Sequence, residues 1–190
     1  MLRQTPGLEV TAPSSLHGAK GPLKSAIRYG NPVVLVEHRY VHTGKGVVPE
    51  EEYTEPIGRA VARCEGKDVI VVAYLVMEQV AMQATELLAA DGIEADRIGP
   101  RTLAPFDPVT AAAPVRTSGH LLIVCQEPMT GCFDEGTAYR AQELPLPDLK
   151  CPAQAGAAYN IPPHMAQTLE SESFPGPQRV ATAAKAMIGG

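Results

Sequence analysis

Asp68-Val69-Ile70-Val71-Val72-Ala73-Tyr74 is the stretch on which the reading of the chain turns. Its β-branched apolar residues occupy both faces, the pattern of a strand buried inside a parallel sheet. A helical pattern follows from Met77 to Asp91. Met77, Val80, Ala81, Ala84, Leu87 and Leu88 form an apolar stripe, and Glu78, Gln79, Gln83, Glu86 and Asp91 point elsewhere. Of the stripe, Val80, Ala84 and Leu87 are expected against Asp68 to Tyr74. Gly92 suits the left-handed conformation that ends a helix, and Ile93 to Ile98 reads as the returning strand. The unit is βαβ, with a right-handed crossover expected.

Upstream, Gly7 to Ala12 alternates like a short strand between Pro6 and Pro13, and Ser14 and Ser15 offer an N-cap. Helical spacing runs from Leu16 to Arg28 through Ala19, Leu23, Ala26 and Ile27. Pro22 lies inside it, so the helix is expected to restart or bend there. Gly30-Asn31-Pro32 ends the helix, and Val33 to Glu37 is a second buried-strand run. The segment from Gly44 to Gly58 is polar and turn-rich, the best linker in the chain, and a new strand-like segment begins at Arg59.

Downstream, Arg101 to Pro108 reads as a loop leading to a short helix around Val109 to Arg116. Leu121 to Cys125 reads as the next buried strand. A helical stretch is expected from about Thr137 to Glu143, then an irregular proline-rich tail through Pro163, and a last helix from Gln178 to Met187.

The chain has 190 residues, 45% of them hydrophobic, enough for a sizeable core without covalent staples. Its net charge of -5 and lack of Lys/Arg runs argue against a nucleic-acid face. Val69 to Met77, the longest apolar run, is under half the ~20 residues needed to span a bilayer, so no membrane partner is expected. No apolar signal segment follows Met1. Cys64, Cys125, Cys132 and Cys151 are far apart and read as reduced thiols in a cytosol-like compartment.

No motif with a strong catalytic mechanism is present. Gly44-Lys45-Gly46 does not sit between a strand and a helix, and reads as linker. His38 and His42, four apart, would share a helical face as metal ligands, but the segment follows a strand and reads as extended. His120 reads as a solvated strand-start residue. Glu37 and Glu127 stand at carboxyl ends of strands, where open α/β sheets bind ligands. Each is either a functional acid or a group paired with a helix N-terminus or an Arg.

Several blocks in order, Pro6 to Val10, Ala19-Lys20-Gly21, Leu23 to Arg28, Asn31-Pro32-Val33, Gly46 to Tyr53, Arg101 to Asp107 and Thr130-Gly131-Cys132-Phe133, carry a resemblance. The chain resembles the beta subunit of the thiamine-diphosphate-dependent decarboxylating component of 2-oxo acid dehydrogenase complexes, from Pro6 to about Gly136. The resemblance implies an α/β fold: a partial pyrimidine-binding domain at residues 1–53, the end of a linker at 54–58, and a three-layer transketolase C-terminal-like domain at 59–190. It implies thiamine diphosphate and magnesium held mainly by other parts and by an alpha subunit. The family's activating glutamate and an active-site histidine fall upstream of the block where this sequence begins, so no catalytic, cofactor or metal residue is assigned to it.

The partners implied are an alpha subunit, a second beta-like chain and a lipoyl acyltransferase core. Arg101, Asp107 and Glu127 are assigned to subunit interface, in the cytoplasm or, in a eukaryote, the mitochondrial matrix. The function implied is oxidative decarboxylation of pyruvate or a related 2-oxo acid with transfer to lipoyl groups, with no catalysis by the chain alone. The alternative readings are a non-catalytic docking module and a degenerate reading frame. The sequence departs from the family at Tyr29, where a potassium-binding loop has Asp, and at Pro22. The family's Gly-Gly-Phe-Gly becomes Gly131-Cys132-Phe133-Asp134, and the helix after Phe133 looks shorter by roughly two turns.

Overall fold

The computed structural model describes residues 2–62, 66–107, 114–130, 132 and 149–189. Among them two sheets form. The larger is built on the strand expected at its centre: β4 (Val69–Ala73) is buried along its whole length. It pairs in parallel with β5 (Ala95–Pro100) on one side and β7 (Leu121–Pro128) on the other. β3 (Ala60–Ala62) closes one edge antiparallel to β5, and β8 (Gln154–Ala158) extends the other edge parallel to β7. The order is therefore β3-β5-β4-β7-β8.

The strand period of two divides the core into layers. Val69, Val71, Ala73, Leu122 and Val124 meet two helices, α3 (Val76–Ala90) and α5 (Pro177–Ile188). Ile70, Val72, Leu121 and Ile123 face the other way, onto Ile98 and Val115. Each fully buried Val, Leu or Ile contributes roughly 1.5–3 kcal/mol.

The face of α3 differs from expectation. Met77, Ala81, Ala84 and Leu88 lie at 4% exposure or less, Val80 is only partly buried, and Leu87 is 38% exposed. Leu87 sits about 100° around the helix from Leu88, so it falls at the stripe's rim. The two alanines at the centre let α5 approach with its own Ala181 and Ala184. Gly92, at φ 77°, ends α3 as expected: its N–H donates to Ala89 O and that of Ile93 to Leu88 O, both at 3.0 Å.

The smaller sheet has the order β2-β1-β6. β1 (Glu9–Thr11) pairs in parallel with β2 (Val33–Leu35) and antiparallel with β6 (Thr102–Ala104). The segment expected as a loop after Arg101 is thus a strand of the N-terminal layer, and Ala12 N–H donates to Arg101 O at 2.8 Å. α1 (Leu16–Arg28) is one helix across the buried Pro22, which of the two expected outcomes excludes the restart; Ser15 Oγ accepts from Gly18 N–H at 3.0 Å as its cap.

The linker is strapped to α1. Lys20 Nζ donates to carbonyls of Pro49 and Glu51, and Ser25 Oγ is bonded to both backbone groups of Glu55. Tyr53 stacks on His17 at 4.7 Å and donates its hydroxyl to His17 O. Gly21 makes this approach feasible, because a Cβ there would lie 2.5 Å from Glu55 Cγ. Burial, then the Glu55 carboxylate, push the Tyr53 phenol above its ordinary value.

Other expectations change by tertiary pairing. The tail expected to be irregular through Pro163 contains β8, and α4 (Gln167–Ser173) forms beyond it, where no element is expected. The segment Arg39–His42 is a four-residue helix, α2, and not extended. His120 is 6% exposed, with Nδ1 2.8 Å from Asp68 O, and not solvated. Residues 114–118 are helical, while the rest of the helix expected from Val109 and the one from Thr137 to Glu143 lie outside the described residues. Cys132 and Cys151 are free thiols. Among the described residues no helix is long and apolar enough to cross a membrane.

Two outcomes follow for stability. Leu88→Ala is expected to cost about 2–5 kcal/mol through the cavity left, and Leu87→Ala under about 1 kcal/mol; equal shifts in urea unfolding would place the helix face elsewhere. The raised Tyr53 phenol contributes stability that is complete below the model-peptide value of 10.0 and lost as pH rises through the higher folded value. Tyr53→Phe should remove that alkaline dependence in melts taken from pH 9 upward.

Candidate functional site

The topology itself marks a place for a site. From β4 the chain goes through α3 to β5 on one side, then crosses to β7 on the other and continues outward to β8. The carboxyl ends of β4 and β7 are therefore neighbours whose successors diverge. Such a switch point leaves a crevice outside the sheet.

A crevice of about 270 Å³ lies there. The connection after β4 and the start of α3 contribute Tyr74, Leu75, Val76 and Met77; β7 contributes Gln126, Glu127 and Pro128. The rest of the lining is Ala158 at the end of β8, Tyr159, Ile161, Pro163, and Ser173 and Phe174 at the end of α4. Its surface is mostly apolar, with Glu127 the charged group. The Tyr74 hydroxyl, carried on a ring that is 3% exposed, donates to Glu127 Oε2 at 2.6 Å.

Bonds from outside the crevice fix its walls. His38 Nδ1 accepts the Tyr40 amide at 3.2 Å, which leaves Nε2 to carry the proton and donate to Gln126 Oε1 at 2.7 Å. The N-terminal layer thereby holds the end of β7. Arg179 donates to Ala157 O at 2.8 Å and lies over the Tyr159 ring at 4.2 Å, steadying the end of β8. Leu75 has φ 51° and ψ -132°, a backbone conformation that a side chain disfavours, and it carries no side-chain cap for α3.

The residues singled out in the sequence do not gather in one place. Arg101 and Asp107 are used within the chain: Arg101 pairs with Glu55, the two side chains 17% and 12% exposed, and Asp107 Oδ2 accepts from Ala60 N–H at 3.2 Å. Glu127 is exposed at the crevice mouth. Glu37 pairs with His42 at 3.3 Å, and among the described residues no Arg pairs with Glu37 or Glu127. Gly44 to Gly46 lie exposed in the linker. Among the described residues no group of three or more His, Cys, Asp and Glu could hold a metal ion. Tyr159, Ile161 and Phe174 carry no signal in the sequence, because β8 falls in the stretch expected to be irregular and no element is expected where α4 forms.

The family model for the transketolase C-terminal domain matches residues 58–180. The chain belongs to this family. It is 37% identical over 191 residues to the acetoin:2,6-dichlorophenolindophenol oxidoreductase subunit beta of Cupriavidus necator, covering 97% of this chain and 55% of that protein. It is 35% identical to the 2-oxoisovalerate dehydrogenase subunit beta of Bacillus subtilis, over 94% of this chain and 55% of the relative. With the pyruvate dehydrogenase E1 component subunit beta of Staphylococcus aureus it shares 42% over 125 residues, 65% of this chain and 38% of the relative.

The chain thus spans about half the length of the curated relatives it matches over nearly its whole extent. The resemblance to 2-oxo acid dehydrogenase beta subunits is borne out as homology to their C-terminal part. In fold it is similar to a split-gene transketolase described as an inactive beta4 tetramer, with TM-score 0.80, 22% identity, and 99% and 59% of the two chains covered. A transketolase of Pichia stipitis matches at TM-score 0.64 and 18% identity, over 98% and 26%. The expected α/β fold of a transketolase C-terminal domain with a short preceding layer is what the chain adopts.

The strained junction of this domain gives a test that inverts the usual order. Glycine in a buried segment ordinarily destabilises more than alanine, by about 0.5–1 kcal/mol. At Leu75 the glycine relieves a backbone cost of order 1–3 kcal/mol, so Leu75→Gly should be more stable than Leu75→Ala by about 1 kcal/mol in urea melts. Alanine ahead of glycine would mean that the junction is unstrained.

Proposed function

We propose that this chain serves as the C-terminal part of a beta-subunit-like component of a 2-oxo acid or acetoin oxidoreductase. In this reading it acts in oxidative decarboxylation of pyruvate or a related 2-oxo acid with transfer to lipoyl groups, and not alone. The observation that carries it is the identity of 35–37% to two such beta subunits over 94–97% of this chain. We assign residues 1–53 to a pyrimidine-domain remnant, 54–58 to the end of the linker and 59–190 to the C-terminal domain. Partners in this reading are an alpha subunit, a second beta-like chain and a lipoyl acyltransferase core, in the cytoplasm or the mitochondrial matrix.

The described residues do not fit thiamine diphosphate and magnesium. A diphosphate wants cations and backbone donors, and magnesium wants oxygen ligands, whereas the switch-point crevice is apolar with a carboxylate at its mouth. The cofactor belongs, in this proposal, to the partner chains. Of the residues proposed at a subunit interface, Glu127 stands on the surface. Arg101 and Asp107 support it from within by holding the linker and the start of β3.

The test is titration of the purified chain with thiamine diphosphate and magnesium, by calorimetry, with and without an alpha subunit and a pyrimidine domain from a relative. The chain alone should give no saturable heat. The reconstituted mixture should sediment as a larger species and reduce 2,6-dichlorophenolindophenol in the presence of pyruvate, 3-methyl-2-oxobutanoate or acetoin. Micromolar binding by the chain alone, or no association, overturns the proposal; association without turnover for any substrate selects the docking-module reading instead.

A further inference from the structure

The crevice at the β4 and β7 switch point has a chemistry of its own. It is small: about 270 Å³ is just under the ~300–1,000 Å³ of sites for drug-sized ligands. Met77, Ile161 and Phe174 in its lining offer only apolar contact. At the mouth stands one carboxylate, Glu127. The Tyr74 hydroxyl bonds one of its oxygens, and among the described residues no hydrogen bond or ion pair to a side chain engages the other.

We propose that in the unassembled chain this crevice binds a small primary ammonium compound with an apolar stem, at the same Glu127 that the assembly reading above places at a subunit surface. The stem would enter between Met77, Ile161 and Phe174, and the ammonium would donate to the free oxygen of Glu127. Two physical terms select this class. Burial of the stem gains roughly 25 cal/mol per Å² of apolar surface, which any hydrocarbon obtains equally. The charge-assisted bond to Glu127 is what a neutral or anionic ligand of the same shape lacks, and beside apolar walls such a bond is screened less than in open water.

The geometry also explains why the carboxylate stays in place. Tyr74 is anchored in the core, so its hydroxyl fixes one oxygen of Glu127 before any ligand arrives. His38 does the same for the neighbouring Gln126. A site whose polar group is pre-positioned loses less entropy on binding than one whose side chains must be ordered.

The experiment uses the full chain and three probes of one shape: 2-phenylethylamine, 2-phenylethanol and 3-phenylpropanoate, titrated by NMR at pH 7. The amine should bind saturably and shift resonances of Val76, Met77 and Ala158. The alcohol and the acid should bind about tenfold or more weakly. Glu127→Gln, at an exposed position, should weaken the amine by a similar factor, and Glu127→Lys should turn the preference toward the acid. Glu94→Gln, which changes an exposed carboxylate paired with Lys67 at 3.6 Å, should leave all three unchanged. Equal binding of the three probes, retention of amine binding in Glu127→Gln, or absence of saturable binding each overturns the proposal; unfolding midpoints of the variants confirm that all are folded.

Discussion

A strand with no exposed face and no exposed edge is the constraint from which the rest of the larger sheet follows. β4 keeps its five residues at 1% exposure or less, so every peptide group along it must find a partner in the protein. β5 satisfies one edge and β7 the other. To supply both, the chain has to leave β4 in one direction and later return on the opposite side. That reversal is what opens the crevice, so the requirement that buries the core also creates the concavity.

The helical layer answers the same constraint from the other direction. Once the sheet is flanked on both faces, α3 and α5 must share one of them, and helices can lie close only where their contact residues are small. Ala81 and Ala84 on α3 meet Ala181 and Ala184 on α5, with Met77, Leu88, Val180 and Met187 packed around them. The exposed Leu87 is not part of this cluster.

What could be read from the chain beforehand was what is encoded locally. The run at Val69 to Ala73, the cap at Ser15, the stop at Gly92 and the last helix each rest on neighbouring residues, and each is found. The two strands missed share a cause. Thr102-Leu103-Ala104 becomes a strand because β1 lies beside it, and Gln154 to Ala158, with no β-branched residue, becomes one because β7 does. Propensity was overruled by a distant partner. The candidate site was legible by half for that reason: Glu127 could be placed at a strand end, whereas Tyr159 and Phe174 depend on elements with no local signature. Identity to known beta subunits adds what neither route supplies, a biochemical setting for the fold.

The loan of β6 to the N-terminal layer has a bearing on how the chain comes into being. A ribosome releases β1, α1 and β2 long before Thr102 to Ala104, and Val10 waits for Ala104 across the linker, β3, β4, α3 and β5. Closing that loop carries an entropy cost that rises only slowly with its length, but contacts so far apart in sequence slow folding. Until then β1 has a bare edge available to other nascent chains. Cutting the polypeptide in its linker would likewise not yield two independent pieces, because the N-terminal sheet would still be hydrogen-bonded to a strand on the far side of the cut.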